Sequence, residues 1–480
     1  MPACKLTNTK ENHMNGRSVN DRDKKRAFYG YASNFIDGSD QEVIGVEFEI
    51  VQKEIWQLFL NRHAEESIRQ QFPNDQMLLA LYHQFFSSGG GAEFRRGRET
   101  YMRERLSVSR LNCIFDEAQR AKFLDEGSQN RIILTGWYEI TLESQGEGRC
   151  WSKRLTGNGI APIRGSKCKV KRVENEEKRT LDQIFSVENN GDEHEEVKRE
   201  LLSIWKWKSI EKIRFSYVGA GLCANIIGLH DKHMGFFDLG CRKSKKEGVP
   251  DCQESIKKIK KVIQDMPEQL VILSHWHSDH ISLITQIKEN KYGKAFLEKS
   301  YWIVPQTASP YGCRLCSMMK NCYVMNHSYP NGERIEMKNI FVGKIDAFPP
   351  SRIGEEAKDS DHPHHHGLYA MVRFSNGERC LLAGDCTYSG IPERHRKGRD
   401  LFYLQASHHG GNYALKPAKP NDLDIPGPGN REGQVVYSAN GVTYGHPKAE
   451  VVKTHQKRGW TKNFVTAAEW RAEREVEFPS

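Results

Sequence analysis

Nothing in this sequence approaches the run of about 20 apolar residues that a membrane-spanning helix needs, so no membrane helix is expected. The opening residues, Met1-Pro-Ala-Cys-Lys-Leu-Thr-Asn-Thr-Lys10, lack the apolar core of a secretory leader, which points to the cytoplasm. No segment recurs at a fixed period, which excludes solenoids and propellers. No Gly-Lys-Ser/Thr follows Gly219-Ala220-Gly221, so that turn is not a nucleotide phosphate loop. Cysteine, by contrast, is not scarce. In a reducing compartment the twelve cysteines are read as thiols or metal ligands rather than a disulfide framework.

What is present fits a globular chain: 38% hydrophobic and 28% charged residues in 480 positions, more than one core usually organises. Two domains are expected. Residues 1–25 are polar and read as a flexible arm. Residues 26–185 mix helical spacing at 54–60 and 76–86, a Gly89-Gly90-Gly91 break and strand-like alternation at 132–142, an α+β accessory domain. The stretch 173–200 is rich in Glu, Lys, Asn and Asp, and 186–212 reads as a linker, in part an exposed helix. Residues 213–480 form the second domain. There, strands at 213–218, 223–228 and 235–239 alternate with Gly-rich turns. A helix over 254–265 spaces Ile256, Ile259 and Ile263 on one face, and a buried strand runs over 270–273.

Directly after that strand comes Ser274-His275-Trp276-His277-Ser278-Asp279-His280. Loops beyond strand carboxyl ends are where α/β sheets assemble ligand sites, because side chains converge there on a rigid backbone. Three imidazoles and a carboxylate in six residues can serve two adjacent divalent ions with N and O donors. A His-rich loop without metal is the bland alternative, and the apolar strand before it argues against that.

These residues resemble the metallo-β-lactamase superfamily, and further motifs extend the resemblance over about residues 213–470. Tyr217-Val218-Gly219-Ala220-Gly221 with Phe237-Asp238-Leu239-Gly240 is similar to its opening hairpin. Leu381-Leu382-Ala383-Gly384-Asp385 is similar to its second strand-end carboxylate. Ser407-His408-His409-Gly410-Gly411 and Tyr444-Gly445-His446-Pro447 are most similar to the ComEC-type hydrolase domain of competence proteins and its soluble relatives.

The resemblance implies an α/β protein, an αββα sandwich, here with an additional N-terminal α+β domain. It implies two divalent metal ions, Zn2+ first and Mn2+ as the alternative. His275 and His277 would bind the first, Asp279 and His280 the second, and Asp385 would bridge both. A third histidine of the first site is expected within Asp361-His362-Pro363-His364-His365-His366, with His365 or His366 favoured. His408 is expected on the second metal, with His446 as the competing ligand and His409 in substrate contact or proton delivery. Asp279, His409 and His446 are the expected catalytic set.

The implied activity is a binuclear metal-dependent hydrolase using a metal-bridging hydroxide, a phosphodiesterase or nuclease by preference. An oxygen ligand at Asp385, where the β-lactamases commonly carry a thiolate, favours phosphoesters. Basic clusters at 164–172, 242–246, 257–261 and 394–399, in a chain of net charge +9, suit a nucleic acid or other phosphodiester substrate, although each also fits a solvated face. A thioester or small-molecule ester hydrolase, and a metal-binding scaffold without activity, are the alternatives.

Three further features stand apart. Cys313, Cys316, Cys322 and His327 either hold a structural zinc or are thiols buried in an insertion over the site. Trp205 and Trp207, alternating with Lys, either stack bases or form an amphipathic interdomain strand. Arg95, Arg96, Arg98, Arg103 and Arg105 suit a nucleic acid or a protein partner of the N-terminal domain, or a solvated helix face. Cys386, one residue past Asp385, is read as packing.

Overall fold

The computed structural model describes residues 26–37, 43–88, 92–114, 136–143, 150–154, 164–187, 192–206, 208–241, 249–288, 290–306, 309–326, 334–345, 367–411, 425–429, 432–440, 445–472 and 475–479. Expectations for 1–25, 242–246, Trp207, His327 and the histidines of 362–366 fall outside these residues.

Six antiparallel strands open the chain: β1 (Arg26–Asp37), β2 (Val43–Gln52), β3 (Ser109–Ile114), β4 (Gly136–Glu143), β5 (Cys150–Arg154) and β6 (Arg164–Arg172). They close into a barrel in the order β1-β2-β3-β5-β6-β4, with β4 pairing back onto β1. Strand alternation sorts the side chains. Phe28, Val46, Phe48, Ile50, Tyr138, Ile140 and Leu142 fill one core inside the barrel. Tyr29, Tyr31, Val51 and Trp137 point the other way into a second core. There they meet helices Gln76–Ser88, Ala92–Glu104 and Asn175–Phe185, through an aromatic knot in which Phe185 lies 4.9 Å from Trp56 and 5.0 Å from Trp137.

The rest of the chain is an αββα sandwich, as the fold class expected. The strands of the first sheet are β7 (Ile210–Phe215), β8 (Ala224–Gly228), β9 (His233–Phe237), β10 (Leu270–Ile272), β11 (Tyr301–Pro305), β12 (Asn321–Met325) and β20 (Val476–Phe478). They run in the order β12-β11-β10-β9-β8-β7-β20. The second runs in sequence order through β13 (Arg334–Glu336), β14 (Ile340–Lys344), β15 (Leu368–Arg373), β16 (Arg379–Leu382), β17 (Leu401–Gln405), β18 (Gln434–Tyr437) and β19 (Lys462–Val465). Ile213, Ile226, Phe237, Ile272 and Ile303 of the first sheet pack on Val342, Ala370, Val372, Leu382 and Val436 of the second. Both faces of each sheet are covered, which is why β8 and β10 are buried along their whole length.

Helix Gln253–Asp265 covers the outer face of the first sheet with Ile256, Ile259 and Ile263, each fully buried aliphatic side chain worth about 1.5–3 kcal/mol. These isoleucines belong to the same contiguous core as Trp56, Phe185 and Trp137 of the N-terminal region. Two polar clasps reinforce that junction. Glu49 of β2 accepts from Ser309 Oγ and, at 2.9 Å, from Tyr311 N. Arg314 Nη1 donates to the carbonyls of Met102 (3.0 Å) and Leu106 (2.8 Å). Within 186–212 lies helix Asp192–Trp205, whose Leu201 and Trp205 are buried in the core between the sheets. Trp205 is therefore helical rather than on an amphipathic strand, and its ring is occupied by packing rather than open to bases.

Candidate metal centre

The segment after β10 is held by its neighbours on both sides. Leu273 N donates to Ile303 O at 2.9 Å, and Trp276 Nε1 to Pro305 O at 2.8 Å. His277 is the N-cap of helix Ser278–Ile287, which puts Asp279 and His280 in its first turn, all buried. The opening hairpin grips this turn from below, since Leu222 N donates to Asp279 O (3.1 Å) and Leu239 N to His280 O (2.9 Å). The approach requires glycine at 240: a Cβ there would lie 1.6 Å from Asp279 O.

Asp385 arrives from the second sheet, just beyond β16, through Gly384 at φ +55°, whose N donates to Gln405 Oε1. His408 and His409 follow β17 in a short turn, both at positive φ (48° and 56°), a strained backbone for non-glycine residues that concentrates at functional sites. His446 comes from beyond β18.

These loops assemble two triplets of N and O donors, each within 4.8 Å: His275, His277 and Asp385, and Asp279, His280 and His409. Asp385 joins them. Its Oδ2 lies 3.6 Å from His275 Nε2 and its Oδ1 lies 3.2 Å from His280 Nε2, with His409 Nε2 3.8 Å from Oδ1. His409 Nε2 is also 3.5 Å from Asp279 Oδ2. His408, expected in the second triplet, lies outside both. Its Nε2 is 3.7 Å from Asp385 Oδ2, its side chain is 28% exposed, and its ring lies 5.5 Å from that of His446, tilted by 58°. Of these two adjacent histidines, His409 alone comes within 4.8 Å of the donors of Asp279 and His280.

Burial would by itself suppress every charge here. Against it, the hydrogen bond from His409 and the charge of His280 hold Asp279 below the usual carboxylate range. His280, His408 and His409 do the same for Asp385. Burial drives His275 down and His277 to about 4, so both favour the neutral form that ligates. His280 is raised in spite of burial because Asp385 and Asp238 flank it.

Asp238, met in the sequence only as part of the hairpin, positions the cluster. Its Oδ2 accepts from His280 Nδ1 and from Ser274 Oγ, each at 2.7 Å, and its Oδ1 from Ser274 N at 2.7 Å. It has φ +59°. The signal that could have found it is register: β9 and β10 are parallel neighbours pairing Phe237 with Ile272, so the residue after β9 stands beside the His cluster. His409 is fixed likewise, Nδ1 donating to Ser438 O at 2.8 Å. Both rings thereby turn Nε2 inward, the arrangement that orients metal-bound histidines.

The donors fit divalent ions of zinc type. Asp279 Oδ1 is a buried polar atom without a hydrogen-bond partner among the described residues, a costly state that a bound cation relieves. Cys386 is buried in the core behind the second sheet, as its packing role expected. Of the cysteine set near β12, Cys316 and Cys322 have thiols in contact, whereas Cys313 does not complete a donor triplet with them among the described residues.

No family model and no curated protein matches the chain. Among solved structures, one described as a possible metal-dependent hydrolase from Veillonella parvula is similar at 11% identity and a TM-score of 0.33, covering 54% of this chain and 97% of that one. Among the described residues no helix is long and apolar enough to cross a membrane.

Proposed function

We propose that the chain is a binuclear metal-dependent hydrolase of the metallo-β-lactamase type, acting on phosphodiesters. The observation that carries this is Asp385, a buried carboxylate whose two oxygens face two separate donor triplets. His275, His277 and Asp385 would hold one ion, and Asp279, His280 and His409 the other, with Asp385 shared. His409 thus takes the place the sequence reading gave to His408. Divalent ions bound there supply an acidified water and neutralise charge that builds on ester oxygens.

The chain's own groups divide the remaining work. Asp279, kept ionised by His409 and His280, accepts a hydrogen bond from the attacking water and orients it. Asp238 and Ser438 keep His280 and His409 in one tautomer each. His408, 28% exposed, and His446 beside it are kept neutral by burial, His446 down at about 2. They are placed to hydrogen-bond the ester oxygens. Lys448 beside His446 adds a cation on the same side. An all-N/O donor set with a cation at its rim favours an anionic phosphodiester over a thioester.

The test is a substrate panel on the metal-loaded chain: bis-p-nitrophenyl phosphate, labelled DNA and RNA, and a thioester. Hydrolysis of phosphodiesters, with nucleic-acid KM rising steeply with salt, supports the reading. Turnover confined to the thioester contradicts it.

A further inference from the structure

The N-terminal barrel carries three thiols that the His/Asp centre does not use. Alternation along β3 buries Ser109, Leu111 and Cys113, so Cys113 faces the barrel interior. Cys150, the first residue of β5, is its register partner across the strand pair. Cys168 lies on β6, the next strand round. Their sulfurs sit within 4.8 Å of one another, at 0%, 2% and 6% exposure, among Phe28, Phe48, Leu111, Ile140 and Leu142. None is in a disulfide.

Packing alone does not call for this convergence. A thiol packs as a small hydrophobe against hydrocarbon, yet three separate strands turn sulfur toward sulfur. The spacing is that of ligands: metal–sulfur bonds of about 2.3 Å put coordinated sulfurs roughly 4 Å apart. The groups that shift these thiols are burial and one another, with no side-chain cation among the causes. Burial pushes Cys113 up and Cys168 is raised to about 12, while Cys113 and Cys168 donate to Cys150 and pull it down to about 4. Only Cys150 is lowered, so a cation entering the barrel would have to displace the protons of Cys113 and Cys168.

We infer that Cys113, Cys150 and Cys168 form a thiolate site for a thiophilic divalent ion of zinc type, which ties β3, β5 and β6 together. Binding forms metal–sulfur bonds and releases the thiol protons to solvent. Three thiolates leave one position of a tetrahedron for a fourth donor. Coordination there becomes folding free energy of the barrel.

Cobalt(II) is the probe, because thiolate-to-cobalt charge transfer absorbs in the near ultraviolet whereas imidazole and carboxylate ligation does not. The full chain is used with Cys316→Ser and Cys322→Ser, which removes the other sulfur pair and leaves the barrel untouched. This variant is expected to keep the band, and zinc is expected to raise its Tm reversibly against a chelator. Adding Cys113→Ser or Cys168→Ser should abolish the band and lower bound metal by one equivalent. Absence of the band before any barrel cysteine is changed overturns the inference without reference to whether the barrel variants fold. A band that survives Cys113→Ser overturns it, as does a Cys113–Cys150 disulfide found by mass spectrometry in unreduced protein.

Discussion

Glu49 makes the junction between barrel and sandwich sensitive to pH. It is fully buried, and burial raises its pKa from the ordinary 4.5 to about 7, against the hydrogen bonds from Ser309 and Tyr311 and the charge of Arg110, with Glu47 adding to the rise. An acid whose folded pKa lies above its unfolded value binds more protons in the native state, so its contribution is whole below pH 4.5 and is lost as pH climbs through about 7. At about 1.4 kcal/mol per pH unit, the gap between 4.5 and about 7 corresponds to ~3 kcal/mol. Glu49→Gln removes the titration. Whatever the new amide costs in lost or strained hydrogen bonds is independent of pH, and every other titrating group is common to both proteins. The quantity to measure is therefore the stability of Glu49→Gln minus wild type, from urea unfolding at about pH 5 and pH 8.5. It should rise by ~3 kcal/mol between the two. A difference that stays level, or falls, would refute burial as the dominant influence on this carboxyl.

Three further outcomes follow from the centre. Asp238→Asn, whose single carbonyl oxygen cannot accept from both Ser274 N and His280 Nδ1, should lower metal affinity about 10–100-fold with little change in secondary structure, as seen by metal-competition titration and circular dichroism. Gly240→Ala puts a methyl group onto Asp279 O. It should destabilise by about 1–3 kcal/mol and, by displacing Asp279, cut kcat on the order of 100-fold. His409→Ala should lose one ion, whereas His408→Ala should retain both and weaken turnover. The reverse pattern in elemental analysis would restore the order expected from sequence.

Local signals were legible. The helix with Ile256, Ile259 and Ile263, the strand Leu401–Gln405 and the placing of His275 to His280 after a buried strand all emerge where the sequence puts them. Each depends on periodicity within a dozen residues. What depended on distant pairing was not legible. Closure of the barrel rests on β4 returning to β1 about a hundred residues away, and Asp238 reaches His280 only through sheet register. His408 and His409 could not be separated because adjacent identical side chains do not reveal which one a turn brings beside Asp279 and His280. Trp205 misled for a related reason: alternation with lysine over four residues fits a strand, but Leu201 and Trp205 share a helix face four residues apart. The three barrel cysteines are far apart in sequence and match no spacing rule; the barrel alone unites them.

The pairing of ions through Asp385 is tested most directly by comparing wild type with Asp385→Asn for bound divalent metal per chain and for hydrolysis of bis-p-nitrophenyl phosphate. The paired centre predicts that the variant carries up to two equivalents fewer than wild type and that turnover falls to background while the fold persists. An Asp385→Asn protein with undiminished metal content and undiminished hydrolysis would contradict it.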